Sequence, residues 1–288
     1  MNDLHELILG WYDDHARDLP WRSERASAWS VMVSEFMLQQ TPVVRVLPVH
    51  EAWLARWPRP VDLAVEPTGE AVRAWGRLGY PRRALRLHAA ASAIVADHDG
   101  EVPSSYDDLL ALPGVGDYTA AAIATFAFGR RHVVLDTNVR RVIARAVAGV
   151  ELPGPYVTRA ERERAASLLP ADEATAATWS VAVMELGALV CTASRPSCGP
   201  CPVADDCAWR AAGYPPYDGP PRKAQACAGT DRQCRGRLLS VLRATEEQVP
   251  SSRLDAAWPD QGQRLRCLAG LVEDRLVVRT DAGSYALP

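Results

Sequence analysis

Lysine is almost absent from this sequence. Among 32 lysine and arginine residues, Lys223 is the only lysine, so chemistry that needs a side-chain amine has one place to come from. No stretch reaches the roughly 18 uncharged apolar residues that a membrane helix requires. The opening Met1-Asn2-Asp3-Leu4-His5-Glu6 is acidic and lacks the basic region and apolar core of a secretory signal. The expectation is a cytoplasmic protein that avoids membranes, whose cysteines are ligands or free thiols rather than disulfides. The net charge of −3, taken as a sum, argues against a nucleic-acid binder; its distribution argues otherwise. Arg73, Arg77, Arg82, Arg83 and Arg86 fall in a segment without an acid, and Arg130, Arg131, Arg140, Arg141 and Arg145 in one whose only acid is Asp136.

What is present reads first as helix. Apolar residues recur at helical spacing in 29–38, 43–54, 70–78, 83–96, 118–127, 139–148 and 175–190, with Pro and Gly between these stretches. Residues 1 to about 222 therefore predict an all-α body without strands. Tyr214-Pro215-Pro216-Tyr217-Asp218-Gly219-Pro220-Pro221 predicts a linker. Beyond it, helices over Arg232–Arg243, Ser251–Trp258 and Gln263–Glu273 precede a hairpin around Asp281-Ala282-Gly283-Ser284. That order predicts a small α+β unit of winged-helix type. Its arginines, Arg232, Arg235, Arg237, Arg243, Arg264, Arg266, Arg275 and Arg279, suit either a clamp on a phosphate backbone or a packing module.

Cys191, Cys198, Cys201 and Cys207 are spaced C-x6-C-x2-C-x5-C. Four thiolates can hold zinc or an iron–sulfur cluster. Zinc sites usually pair their cysteines in two short turns; a single compact loop bent by Pro196, Pro200 and Pro202 suits a cubane cluster better. The loop lies far in sequence from Asp136, which predicts a mainly structural role for it.

Leu112-Pro113-Gly114-Val115-Gly116-Asp117-Tyr118 is a Gly-rich turn opening a helix. Gly114 and Gly116 let the backbone approach a ligand, and the helix N-terminus offers N–H groups to a phosphate. Downstream, Leu135-Asp136-Thr137-Asn138 precedes another helix. Asp136 there is an N-cap on ordinary grounds.

Taken together these motifs resemble the endonuclease III, or helix-hairpin-helix, superfamily of DNA glycosylases, and over residues 5 to 215 the adenine glycosylases of the MutY type. The resemblance implies a six-helix domain at 23–129 and a cluster-bearing helical domain at 1–22 with 130–213. A linker at 214–230 and the small unit at 231–288 follow. It implies a 4Fe-4S cluster on the four cysteines, a monovalent cation on the hairpin carbonyls, and Asp136 stabilising an oxocarbenium-like sugar. Bifunctional relatives carry a lysine where this chain has Tyr118, so the chain should be monofunctional.

Within Leu19-Pro20-Trp21-Arg22 and Trp29-Ser30-Val31-Met32-Val33-Ser34-Glu35-Phe36-Met37-Leu38-Gln39-Gln40-Thr41, the resemblance makes Glu35 the acid that protonates adenine N7. An acid in such apolar company should hold its proton tightly. Gln40 and Thr41 match residues that wedge into the base stack, and Leu78 and Tyr80 a segment beside the orphan base. Arg22, Asn138 and Glu185 match polar residues around the flipped base. The implied partner is double-stranded DNA with a mispaired adenine, bound by a monomer. Tyr80 is followed by Pro81, and Thr137 stands where many relatives have glycine. The residues after Pro221 are too few for the Nudix-like domain with which longer relatives read 8-oxoguanine. Two alternatives stay open: a mismatch thymine or uracil glycosylase, against which Glu35 argues, and a non-catalytic DNA-binding redox sensor.

Overall fold

The computed structural model describes residues 2–220, 228–280 and 283–288. Lys223, Cys227 and the expected turn at Asp281–Ala282 lie outside the described residues. The helices run α1 (Asn2–His15), α2 (Ala28–Leu38), α3 (Val43–Arg56), α4 (Pro60–Ala64), α5 (Thr68–Trp75), α6 (Arg82–Asp97), α7 (Tyr106–Ala111), α8 (Asp117–Phe128), α9 (Thr137–Ala146), α10 (Arg159–Leu168), α11 (Glu173–Leu189) and α12 (Ala208–Ala211). The C-terminal segment follows as α13 (Asp231–Arg243), β1 (Val249–Pro250), α14 (Ser251–Asp255), α15 (Gln261–Glu273), β2 (Val278–Arg279) and β3 (Ser284–Ala286). No described helix is long and apolar enough to cross a membrane.

Two compact units form. One comprises Met1–Val31, Ser104–Ala111 and Val115–Arg222. Its core joins α1, α9 and α11 through Ile8, Val139, Val142, Trp179, Val183 and Leu186. The helix α8 is buried on nearly every face, as an alanine-rich core helix should be, and stops at Gly129, whose left-handed φ of +67° suits glycine. Helix starts are written in the sequence: Asp136 caps α9, Asp172 caps α11, and Thr158 with Glu161 forms a capping box on α10. Each such cap contributes about 1 kcal/mol.

The other unit comprises Met32–Pro103, Leu112–Gly114 and Lys223–Pro288. On α6 the buried Ala84, Leu87, Ala91 and Ile94 recur at helical spacing and face α4 and α5. Trp53 meets Trp57 and Trp75 edge to face at 4.7 and 5.8 Å. The C-terminal segment has the order helix–strand–helix–helix–strand–strand with the sheet order β1-β3-β2, all antiparallel, which is winged-helix topology. The hairpin was expected; β1, two residues long, was too short to stand out. This segment is fastened to α5. Arg73 donates to the carbonyls of Arg243 and Thr245 at 2.8 and 2.7 Å. Arg243 in turn donates to the carbonyl of Val72 at 2.9 Å.

Candidate active site

The cap of α9 holds the first group of candidates. The Oδ1 atom of Asp136 accepts from the Val139 amide at 2.6 Å, and Oδ2 accepts from the side-chain amide of Asn138 at 2.7 Å. Burial pushes the Asp136 carboxyl above the ordinary carboxylate range; the bonds from Val139 and Asn138 and the charge of Arg141 oppose that rise. Asn138 is itself held. Its Oδ1 accepts from Arg141 at 2.8 Å, and Arg141 also donates to the carbonyls of Gly187 and Cys191, each at 2.6 Å. The crossing of α9 and α11 is close at this point: a Cβ on Gly187 would lie 2.7 Å from the Cβ of Asn138, so only glycine fits there.

The cysteine loop, far from Asp136 in sequence, is thus linked to it in space: Arg141 bonds to the Cys191 carbonyl and to Asn138, and Asn138 bonds to Asp136. Cys191, Cys198, Cys201 and Cys207 all line one apolar cavity beneath α9 and α11. Burial raises the thiol of Cys201 to about 11, with the Val203 amide opposing and the three other sulfurs adding to the rise. Among the described residues no three side chains reach metal-coordinating geometry as they stand. Arg145, buried, lines the cavity: it donates to Thr192 O at 2.7 Å and to Cys191 Sγ at 3.4 Å, and lies 4.6 Å from the Trp209 ring. In the sequence Arg141 and Arg145 stand out only as members of a basic stretch, with no sign of these partners.

Glu185 is fully buried on α11. Arg17 grips it bidentately at 2.6 and 2.7 Å, and Arg22 donates to Oε2 at 2.9 Å. Burial works to raise this carboxyl, yet the two guanidinium groups hold it down at about 2. Of the sequence candidates Arg22, Asn138 and Glu185, the first and last are thus directly bonded. Arg17, the stronger partner, went unnoticed.

Tyr118, in the first turn of α8, is half-buried against Ala121, Ala122 and Val134. At the hairpin, Gly114 takes φ +79° and backs onto Arg86, where a Cβ would meet the side chain at 2.7 Å. Gly116 has open space where a Cβ would be. Asp117 stands exposed at the start of α8, bonded to Tyr106 at 3.3 Å and paired with Arg162 at 3.4 Å.

The remaining candidates sit in the second unit. Glu35 is buried on α2 beside the apolar Met32 and Phe36. Thr41 is buried and donates to the carbonyl of Leu78 at 3.3 Å, tying together the two loops that carry Gln40 and Tyr80. Arg83 strengthens that tie by donating to the carbonyl of Gln39. Gln40 and Tyr80 both adopt left-handed backbone, at φ +56° and +46°. Non-glycine residues rarely do so, and such strain collects at functional sites. Both side chains are exposed, whereas Leu78 is buried beneath them.

A half-buried carboxylate held at a helix start, a Gly-rich hairpin and a four-cysteine loop define a class. Residues 33–166 match the HhH-GPD superfamily of base excision DNA repair proteins. Over 283 residues the chain is 56% identical to the adenine DNA glycosylase of Mycobacterium tuberculosis (strain ATCC 25618 / H37Rv), spanning 98% of this chain and 92% of that one. To the adenine DNA glycosylase of Mycolicibacterium smegmatis it is 51% identical over 281 residues, with 97% and 94% covered. The chain belongs to the adenine DNA glycosylase family. Among solved structures, a thermostable thymine-DNA glycosylase superposes with a TM-score of 0.66 at 27% identity, over 73% of this chain and 96% of that one.

Proposed function

We propose that this protein is a monofunctional adenine DNA glycosylase of base excision repair, acting as a monomer on double-stranded DNA in the cytoplasm. It hydrolyses the N-glycosidic bond of adenine opposite 8-oxoguanine or guanine. The observation that carries this reading is the held carboxylate of Asp136. A group fixed by Val139 and Asn138 needs no reorganisation as positive charge develops on the sugar.

In this reading Glu35 gives its proton to N7 of the extruded adenine. The bond from C1′ to N9 then breaks, and its electron pair leaves with the base. Asp136 stabilises the cation at C1′ until water adds there and loses a proton, leaving an abasic site. Arg22, whose Nη1 is buried without a hydrogen bond, is the donor we assign to the flipped base, with Glu185 fixing its position. Tyr118 offers no amine for a Schiff base, so no strand cleavage follows. Gly114 and Gly116 receive a backbone phosphate, and a monovalent cation sits on the hairpin carbonyls. Residues 1–22 with 130–213 serve Asp136 and the cysteine loop, residues 23–129 carry Glu35 and the hairpin, and residues 231–288 join through the linker at 214–230.

The cysteine loop fits a 4Fe-4S cluster, a group for which the family is known. Its four sulfurs line a single apolar cavity with no competing carboxylate among the lining residues. When bound, the cluster supplies a rigid cross-link of the loop and a redox-active centre.

The test is a panel of duplexes, each with one mispair, assayed for alkali-labile abasic sites. Release of adenine opposite 8-oxoguanine and guanine is expected. Release of thymine or uracil instead would transfer the protein to the mismatch-glycosylase reading, whose solved representative shares this fold.

A further inference from the structure

The C-terminal segment reaches the loop of Tyr80. In the first turn of α13, Arg232 places its guanidinium 5.0 Å from the centroid of the Tyr80 ring, and a Cβ on Gly79 would lie 4.0 Å from its Nη2. Arg83 lies 4.5 Å from the same centroid. The ring is thus held by two cations, one from α6 and one from α13. Its backbone is held too: Trp75 Nε1 donates to the Gly79 carbonyl at 2.9 Å.

The position of Arg232 is built rather than incidental. One turn further along α13, Arg235 pairs with Asp274, the residue that caps the end of α15, and Arg82, two residues past Tyr80, pairs with the same carboxylate at 3.3 Å. With the Arg73 and Arg243 bonds already described, α13 is fixed on both sides of the Tyr80 loop. Arg235, Arg243, Arg264 and Arg266 bond to protein acceptors, while Arg237, Arg275 and Arg279 are exposed and could still meet a phosphate backbone. Arg232 is exposed and points at the residue that the proposed function sets beside the orphan base.

We propose that Arg232 is a specificity-determining residue for the base opposite the excised adenine. A guanidinium donates hydrogen bonds and accepts none. Its stacking uses its face while its hydrogen bonds run in its plane, so it can stay on Tyr80 and donate at once. The base 8-oxoguanine presents a carbonyl oxygen at C8 where guanine has a hydrogen, and that oxygen is the acceptor we assign to Arg232. Gln40, Thr41 and Leu78 do not supply a charged donor there. The inference rests on the reading of Tyr80 given above.

Single-turnover excision and duplex affinity should be compared on adenine opposite 8-oxoguanine and opposite guanine, for wild type, Arg232→Ala and Arg232→Lys. Thermal melting controls for folding. Loss of a charged hydrogen bond predicts a fall of roughly 10- to 100-fold in the 8-oxoguanine preference of Arg232→Ala. The rate opposite guanine should fall much less, because loosening Tyr80 acts on both duplexes and the lost hydrogen bond on only one, and Arg232→Lys, which keeps the charge without the planar face, should be intermediate. An unchanged preference, or equal losses on both duplexes, overturns the proposal. If wild type releases no adenine from either duplex, the functional reading itself fails, and the two failures are told apart.

Discussion

Arg141 donates from Nε to the backbone carbonyl of Cys191 at 2.6 Å, across 50 residues of sequence. The same guanidinium holds Asn138, and Asn138 holds Asp136. Fixing the cysteine loop and fixing the carboxylate are therefore one task. Arg141→Lys keeps the charge but not the planar fork that serves these acceptors together. It should cost about 2 kcal/mol of stability or more and lower the iron content of the purified protein. Melting curves and iron-to-protein ratios read both effects; a variant equal to wild type in both would show that the contact is incidental.

Wild type purified anaerobically should carry about four irons per chain on Cys191, Cys198, Cys201 and Cys207. Elemental analysis decides this. Stoichiometric zinc without acid-labile sulfide contradicts it.

Asp136→Asn should abolish excision while leaving duplex binding largely intact. Asparagine still caps a helix, so stability should change by less than about 1 kcal/mol. Appreciable turnover in single-turnover assays would place the chemistry on another residue.

Asp136 must be ionised to stabilise the sugar, and burial raises its pKa. The acid limb of the excision profile should therefore lie above the ordinary carboxylate range. Asn138 lowers that pKa by its hydrogen bond, so Asn138→Ala should move the limb to still higher pH. A limb that moves down or stays put assigns it to another group.

Glu185 answers to pH in the opposite sense. Its folded value of about 2 lies below the ordinary 4.5. Its ion pairs therefore stabilise the fold above pH 4.5, and that contribution is lost as pH falls toward 2. The amount is on the order of 3 kcal/mol. Glu185→Gln should melt lower than wild type at pH 6 and lose the wild type's steep decline between pH 4.5 and 2. A decline of equal slope in the variant would place the acid sensitivity elsewhere.

Borohydride should trap no covalent adduct with DNA. Trapping that persists in Lys223→Arg would point to the terminal amine and contradict a monofunctional enzyme.

Much of the helical body was legible because its buried faces repeat at helical spacing. The stretches read at 83–96 and 118–127 correspond to α6 and α8. By contrast α10, Arg159–Leu168, is polar on most of its surface and starts from a capping box rather than an apolar stripe, so periodicity passed over it. Asp136 had been weighed as a cap against a functional carboxylate, and the cap is real; one oxygen serves α9 and the other meets Asn138, so the two uses do not compete. What the sequence hid was the arginines. Arg17, Arg83, Arg141, Arg145 and Arg232 reach acceptors or rings that are mostly remote in the chain. A long side chain gives no periodic sign of which carbonyl it will find.

Gln40 and Tyr80 hold left-handed backbone without being glycine. Each carries a penalty of about 1–2 kcal/mol that glycine would remove. Selection for thermal robustness in the laboratory should therefore favour Gln40→Gly, and the sturdier protein it yields should be the poorer enzyme. The same two positions that a stability screen would improve first are those where improvement ought to be refused.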